Sequence, residues 1–125
     1  MKAIDLKSAT VPELVARFAE LGLDQYQSRL RQEQRRLNRS MLQMFEVAEE
    51  LKRRAGDQRS ALIPLFEHPN LQVRLMAAKL TLAVAPAAAR ELLRTIADSK
   101  EYPQAMDAGM SLWALEQGIS RPTSR

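Results

Sequence analysis

The segment over residues 71–85 limits the fold most strongly, because it is apolar on two sides of a helix. One side carries Val73, Ala77, Leu80 and Val84, and the other carries Leu71, Leu75, Ala78 and Leu82. A helix of this kind is stable only when neighbouring helices cover both sides. We therefore predict that it lies between other helices in a layered fold.

Apolar residues recur at helical spacing along the rest of the chain, and no strand-like alternation occurs. Thr10 and Glu13 form a capping box for a helix over residues 11–21, which Gly22 is placed to end, and Asp24 is placed to cap the next. Residues 25–55 form one long helix or two shorter ones, with Asn38–Ser40 as the expected break. Helices over residues 58–67, 71–85, 86–98 and 103–117 follow. The predicted fold class is all-α, with stacked antiparallel helix pairs and about five or six helices.

The chain has 125 residues, a length that fits a single domain. Within it we distinguish an N-terminal helical segment (10–55), two helical hairpins (57–118) and a disordered tail (119–125). There is no cysteine, which suits a reducing compartment. No signal-peptide pattern occurs, and no run approaches the roughly 18 apolar residues of a membrane span. We expect a cytoplasmic protein that does not bind membranes.

A weak internal repeat relates the two predicted hairpins. Val73, Ala77 and Leu80 align with Ala105, Gly109 and Leu112 at an offset of 32 residues. Small residues in the middle of each helix let neighbouring helices approach closely. The repeat therefore predicts layers that stack on one another.

The run ALIPLFEHPNLQVRLMAAKL, from Ala61 to Leu80, resembles a HEAT repeat. Its markers are the paired apolar residues of the first helix, Pro64, the short turn, and Val73-Arg74 followed by small residues. The second unit departs from this pattern, since it lacks the Val-Arg pair. The resemblance implies a HEAT-like α–α superhelix and a role in protein–protein scaffolding, without indicating a particular partner.

Residues 11–118 as a whole also resemble a family of small stand-alone bacterial proteins of unknown function. The resemblance depends on the Val-Pro-Glu-Leu-Val start, the long charged second segment and the run PQAMDAGM near the end. It implies no activity. Because some small HEAT-like bacterial proteins neutralise a toxin, an immunity-type role is kept as an alternative.

Sequence motifs for catalysis, cofactors or metals are not found. His68 is the one histidine, and no zinc-binding spacing surrounds it. The carboxylates of Glu49 and Glu50 are explained by Arg53 and Arg54, which follow at four-residue spacing. Phosphate-binding loops, dinucleotide fingerprints and nucleophile elbows are missing as well. We expect no enzymatic activity, no cofactor and no metal.

The most distinctive surface feature is a basic cluster that accounts for most of the net charge of +4. Its members are Arg29, Arg31, Arg35, Arg36 and Arg39. On one continuous helix, Arg31, Arg35 and Arg39 would share a face. Three interpretations remain open: a solvated helix face, a site for an acidic protein, and a site for nucleic acid. No aromatic residues lie between the arginines, and their absence argues against a nucleic-acid site because aromatic side chains stack on bases.

Three further residues have both a structural and a functional interpretation. Arg74 either binds a carbonyl of the neighbouring turn or contacts a partner. Asp107 either stabilises its helix, as a negative charge near the helix N-terminus, or contacts a partner. Trp113 is interpreted first as a core residue and second as an interface anchor. We expect a non-catalytic protein-interaction module with an unidentified protein partner, present as a monomer or homodimer. Nucleic-acid binding through the Arg29–Arg39 helix is the alternative from another class.

Overall fold

The computed structural model describes residues 4–123, and this part of the chain contains six helices and no strand. The helices are α1 (Val11–Leu30), α2 (Gln34–Arg53), a 3-10 helix (Gln58–Glu67), α3 (Leu71–Leu80), α4 (Pro86–Asp98) and α5 (Gln104–Glu116). The predicted all-α class and the number of helices are confirmed. No helix in residues 4–123 is long and apolar enough to cross a membrane.

The contacts between residues define two compact units, which meet in the sequence between Ala61 and Leu62. In the first unit, α1 and α2 pack against each other. In the second unit, α4 packs against both α3 and α5. The subdivision predicted at residues 55–57 falls shortly before this boundary.

Helix α1 begins as predicted but is longer than predicted. Thr10 Oγ1 accepts a hydrogen bond from the Glu13 amide at 3.2 Å, and the Thr10 amide donates to Glu13 Oε1 at 2.8 Å. The predicted end at Gly22 is wrong, because the helix continues to Leu30 with Gly22 buried inside it. Ser40 of α2 donates a hydrogen bond to the Leu21 carbonyl at 3.0 Å. The small residues Gly22 and Ser40 thus serve helix packing, and this packing outweighs the preference of glycine for a helix end.

The break between α1 and α2 lies at residues 31–33, so the predicted break at Asn38–Ser40 is wrong. Gln32 adopts a left-handed conformation, with φ at 56°, and the Glu33 amide donates to the Ser28 carbonyl at 2.9 Å. Glutamine is not a residue type that marks such a turn. Asp24, which was predicted to cap a helix, lies inside α1 and pairs with Arg36 of α2.

Helix α3 is buried on two sides, as its sequence predicts. Val73 and Ala77 are fully buried on one side, and Leu75 and Ala78 on the other. Its start is confirmed, because Asn70 Oδ1 accepts hydrogen bonds from the amides of the second and third helical residues at 2.9 and 3.2 Å. The predicted end at residue 85 is wrong. The helix stops at Leu80, and the hydroxyl of Thr81 then donates to the Ala77 carbonyl at 2.7 Å.

The core of the second unit positions the last two helices. Leu75 and Ala78 of α3 pack with Leu93 and Ile96 of α4 and with Ala108 of α5. Burial of each leucine or isoleucine side chain contributes about 2 kcal/mol. Helix α5 is followed by a turn in which the Ile119 amide donates to the Ala114 carbonyl at 2.9 Å. The disordered tail was predicted over residues 119–125. Its last two residues, 124–125, lie outside the described residues.

Candidate functional site

Helix α5 leaves three large apolar residues exposed on the side that faces away from its buried alanines. Ala105 and Ala108 are buried in the second unit. On the opposite side, the exposed fractions of Met106, Met110 and Trp113 are 64%, 58% and 50%. At 3.6 residues per turn these three side chains lie within about 60° of one another. They form one continuous apolar stripe along the helix.

Tyr102 precedes this stripe and is 66% exposed. We call Tyr102, Met106, Met110 and Trp113 together the α5 face. Scattered exposed apolar residues are ordinary, whereas a contiguous row of large ones marks an interaction surface. The prediction of Trp113 as a core residue is wrong. Leu112, the residue before it, packs against the core instead, and a step of one residue turns Trp113 outward.

The middle of the α5 face carries no unbalanced charge. Asp107 lies beside it, and its carboxylate pairs with Lys79 Nζ of α3 at 2.8 Å. Ser111 also donates a hydrogen bond to this carboxylate, at 3.4 Å. Asp107 therefore links α5 to α3, and the apolar stripe next to it needs little charge desolvation to bind an apolar partner.

Charges that lack partners stand near both ends of α5. Lys100 and Glu101 precede the helix, and Glu116 is its last residue. All three are exposed, and none forms an ion pair within residues 4–123. Between them, Gly109 borders the α5 face, and an added Cβ atom there would meet no other atom within 4 Å. The backbone is thus open to close approach at this point.

The basic cluster does not form one helical face, because the break at residues 31–33 divides it. Arg29 lies on α1, Arg31 in the turn, and Arg35, Arg36 and Arg39 on α2. The charge of Arg36 is balanced by two carboxylates. Its Nε atom donates to Asp24 Oδ1 at 2.7 Å, and its Nη1 atom donates to Glu33 Oε2 at 3.2 Å. These hydrogen bonds, with that to Asp24 the stronger, raise the pKa of Arg36.

The other four arginines have no ion pair within the described part of the chain. Arg31, Arg35 and Arg39 are exposed, and the last two lie one turn apart on the same side of α2. Arg29 is partly buried, and its Nε atom has no hydrogen-bond partner among residues 4–123. The arginines free for a partner are therefore Arg31, Arg35 and Arg39.

Arg74 stabilises the turn before α3. Its Nη1 atom donates to the carbonyl oxygens of His68 and Pro69 at 2.8 and 3.0 Å. His68 Nδ1 in turn accepts a hydrogen bond from the Asn70 amide at 3.0 Å. These contacts favour the structural interpretation of Arg74, and they engage His68 in the same turn.

Two surface grooves lie in the first unit, and each contains an ion pair or a hydrogen-bonded carboxylate beside charged groups that form no ion pair. A groove of about 410 Å³ includes Glu13 and Arg17. Hydrogen bonds from Thr10 lower the pKa of Glu13, and Arg17 pairs with Glu20 at 3.4 Å. A groove of about 240 Å³ contains the Asp24–Arg36 pair. Within residues 4–123, no group of three or more histidine, aspartate or glutamate side chains is placed to hold a metal ion.

Glu50 is the best-paired carboxylate of α2. It accepts hydrogen bonds from Arg54 Nε at 2.9 Å and from Arg53 Nη2 at 3.3 Å. These bonds, with that from Arg54 the stronger, lower the pKa of Glu50. The predicted Glu50–Arg54 pair is confirmed, whereas Arg53 pairs with Glu50 and not with Glu49. Arg54 also donates to the Leu6 carbonyl at 2.9 Å, which ties the N-terminal segment to α2.

Comparison with known proteins gives a family for this chain. Residues 12–116 match the family described as "Domain of unknown function (DUF2019)". The chain belongs to this family. No curated protein matches the chain. The family description names no activity.

The crystal structure of the protein RPA1889 from Rhodopseudomonas palustris CGA009 has the same fold as this chain. Its sequence is 52% identical to this chain, and the TM-score between the two structures is 0.93. The match covers 97% of this chain and 100% of that chain. The likeness supports the helix arrangement that places Met106, Met110 and Trp113 on one exposed side.

Proposed function

We propose that this DUF2019 protein is a non-catalytic protein-interaction module, and that the α5 face is its binding surface. The observation that carries the proposal is the exposure of Met106, Met110 and Trp113 in one stripe of α5. In the HEAT-like interpretation, α4 and α5 form the last helical hairpin. Such a hairpin leaves the outer side of its second helix open for a partner.

The chemistry of these side chains suits protein binding. Methionine is flexible and polarizable, so it adapts to different apolar surfaces. Tryptophan contributes more binding energy than most residues when a partner buries it. The expected partner presents an apolar ridge or one side of an amphipathic helix to Met106, Met110 and Trp113.

The non-catalytic part of the proposal is supported by how the polar groups are engaged. Glu13 caps a helix, Asp24 pairs with Arg36, and His68 accepts a hydrogen bond within its own turn. A general base or nucleophile has to reach a substrate, and these groups are held by structural contacts. An interaction surface accounts for the exposed residues without requiring a reaction.

Affinity capture from the native cell tests the proposal, with tagged wild-type chain and tagged M110E as baits. M110E places a charge in the middle of the α5 face without touching the core. The matched control is L42S on α2, because Leu42 is 65% exposed. We expect wild type and L42S to retain the same proteins and M110E to lose them. Equal capture by all three baits would contradict the proposal.

A second candidate function is binding of a polyanion, such as nucleic acid, through Arg31, Arg35 and Arg39. It is favoured by the observation that these exposed arginines have no acidic partner within residues 4–123. Each phosphate contact releases condensed counterions, so affinity would fall steeply with salt concentration. No aromatic side chains alternate with these arginines, so base stacking would contribute little.

Fluorescence anisotropy with labelled duplex and single-stranded DNA tests this candidate at low salt. The variant R31S/R35S/R39S is expected to lose binding and most of the salt dependence. R94S is the matched control, since Arg94 is an exposed arginine of α4. Absence of binding by the wild type, or an equal loss in R94S, would reject this candidate.

A further inference from the structure

We propose that helix α2 pairs with α2 of a second copy of this chain, in an antiparallel arrangement with two-fold symmetry. The contact surface is the exposed side of α2, which we call the α2 face. Its members are Arg35, Asn38, Arg39, Leu42, Phe45, Glu46 and Glu49. This surface lies on a different helix from the α5 face, so the inference goes beyond the proposed function. Two observations identify the second copy: the order of the charges along α2 and their register about Leu42.

Two large apolar side chains lie in the middle of the α2 face. The exposed fractions of Leu42 and Phe45 are 65% and 45%. At 3.6 residues per turn they lie within about 60° of each other. The opposite side of α2 is buried, through residues such as Met44 and Leu51, where α1 and α2 pack together. Leu42 and Phe45 are therefore available for a partner, and the charges around them indicate which partner fits.

The charges of the α2 face are separated along the helix. Arg35 and Arg39 precede Leu42, and Glu46 and Glu49 follow it. All four are exposed, and none forms an ion pair within residues 4–123. A surface that is positive on one side of an apolar centre and negative on the other is complementary to itself when the second copy runs in the opposite direction.

The register places Leu42 on the two-fold axis. Arg35 lies seven residues before Leu42 and Glu49 seven residues after it, so each arginine lies opposite the glutamate of the other copy. Arg39 and Glu46 lie on one flank of the helix, about 20° apart, and their distances from Leu42 along the helix differ by about 1.5 Å. They therefore meet across the same axis. Symmetry forms each of these ion pairs twice, whereas a parallel arrangement brings like charges together.

Two arginines near Glu49 are bound by other carboxylates. Arg53 donates a hydrogen bond to Glu50 at 3.3 Å. Arg59, which attracts Glu49 through space, donates to Asp57 at 2.6 and 2.8 Å. Neither forms an ion pair with Glu49, so this carboxylate is left for an arginine of another chain.

The acidic residues near the arginines of the α2 face are bound as well. Asp24, which lines the same groove as Arg39, accepts a hydrogen bond from Arg36 at 2.7 Å. Glu33 accepts another from Arg36 at 3.2 Å. Arg35 and Arg39 thus keep their charge for carboxylates of the second copy.

Like charges lie at the two ends of the helix pair. In this register the last turn of α2, with Lys52 and Arg53, approaches Arg31 of the second copy, and these residues lie about 15 Å along the helix from the two-fold axis. Helices that cross at about 20° have moved apart by about 5 Å at that distance. Salt also screens exposed charges that are more than about 10 Å apart. The repulsion is therefore weaker than the attraction near the axis, and it favours a crossed pair.

A single helix pair buries a small area, so the dimer is expected to be weak. Small interfaces form transient complexes, and each exposed ion pair contributes little. We expect a monomer–dimer equilibrium with a dissociation constant on the order of 100 µM at low salt. Because salt screens the ion pairs, an increase from about 20 mM to about 0.5 M salt should weaken the dimer about tenfold.

Sedimentation equilibrium at low salt tests the register through mixtures of charge variants. R35E and E49R, each alone, place like charges opposite one another at two symmetric positions, and we expect each to weaken the dimer about tenfold. An equal mixture of R35E and E49R restores both pairs and should associate as strongly as the wild type. The matched control is a mixture of R35E and E46R, which keeps two contacts between like charges and should remain as weak as the single variants.

Three further variants complete the measurement. L42S should weaken the dimer, whereas M110E should not change it. R94E should also leave it unchanged, because Arg94 is exposed on α4 and its reversal alters the net charge as much as R35E does. A second copy captured from cells yields the peptides of the bait itself, so L42S remains the control for the α5 face. A wild type that stays monomeric up to about 1 mM at low salt, or equal association of the two mixtures, would overturn the proposal and leave the proposed function standing.

Discussion

The side-chain amide of Gln104 in α5 donates a hydrogen bond to Gln72 Oε1 in α3 at 3.1 Å, and both side chains are buried. The two residues are 32 apart, which is the offset of the internal repeat. The hydrogen bond thus joins two positions that the predicted internal repeat aligns with each other. It fixes the start of α5, and with it the direction in which Met106 and Met110 point.

Removal of this hydrogen bond is expected to destabilise the second unit. Q104M keeps the side-chain volume but removes the donor, so it should lower the free energy of unfolding by about 1–2 kcal/mol. The double variant Q72M/Q104M should lose less than the sum of the two single losses. Urea unfolding followed by circular dichroism measures all four proteins. Strict additivity would show that the two amides are not coupled.

The cap of α3 provides an independent test of the helix start. N70A removes the side-chain acceptor of two amides and should lower the free energy of unfolding by about 1 kcal/mol. N70D keeps an acceptor oxygen at the same place and should retain most of the stability. Thermal melts of the three proteins make the comparison. An N70D loss equal to that of N70A would argue against this cap.

Stability is expected to fall in acid in part because of two carboxylates that are paired with arginines. Arg54 and Arg53 lower the pKa of Glu50, and hydrogen bonds from Arg59 lower the pKa of Asp57. The unfolded chain therefore binds protons more readily than the folded one. The stabilisation is complete above the unfolded values near pH 4 and is lost as the pH falls through the folded values.

Melting temperatures between neutral pH and about pH 2.5 measure this effect. The variant E50Q/D57N is the control, because it cannot lose those two charges. It should be less stable than the wild type at neutral pH, and its melting temperature should fall less on acidification. Identical pH profiles for the two proteins would assign the acid sensitivity to other groups.

Arg74 is expected to affect stability and not partner binding. R74M removes the hydrogen bonds to the carbonyls of His68 and Pro69 and should cost about 1–2 kcal/mol of unfolding free energy. Affinity capture with R74M at low temperature should retain the same proteins as the wild type. Loss of partners in a protein that remains folded would support the functional interpretation instead.

The sequence predicts helix positions well where a cap or proline fixes the boundary. Thr10 starts α1, Asn70 starts α3 and Pro86 starts α4, because each acts on the backbone beside it. The prediction of helix ends from the sequence is wrong at Gly22 and at Gln32, where contacts between helices determine whether the helix continues. A buried glycine stays helical when another helix packs beside it, and the glutamine turn has no local signal.

The candidate site was only partly predictable, for the same reason. Met106, Met110 and Trp113 have a helical spacing that is visible in the sequence, yet an apolar stripe usually indicates the buried side of a helix. The side of α5 that faces the core is also an apolar stripe, formed by Ala105, Ala108, Leu112 and Leu115. Which of the two sides meets α4 depends on packing between helices, and no spacing within α5 decides it.

Trp113 is the one tryptophan of the chain, so its fluorescence reports the α5 face directly. The decisive measurement is iodide quenching of Trp113 in dilute protein and again in the partner-bound state. We expect strong quenching in dilute protein, and both a blue-shifted emission and weaker quenching once the face is covered. Emission that resists iodide even at the highest dilution would show that Trp113 is covered within its own chain, and the binding surface proposed on α5 would not exist.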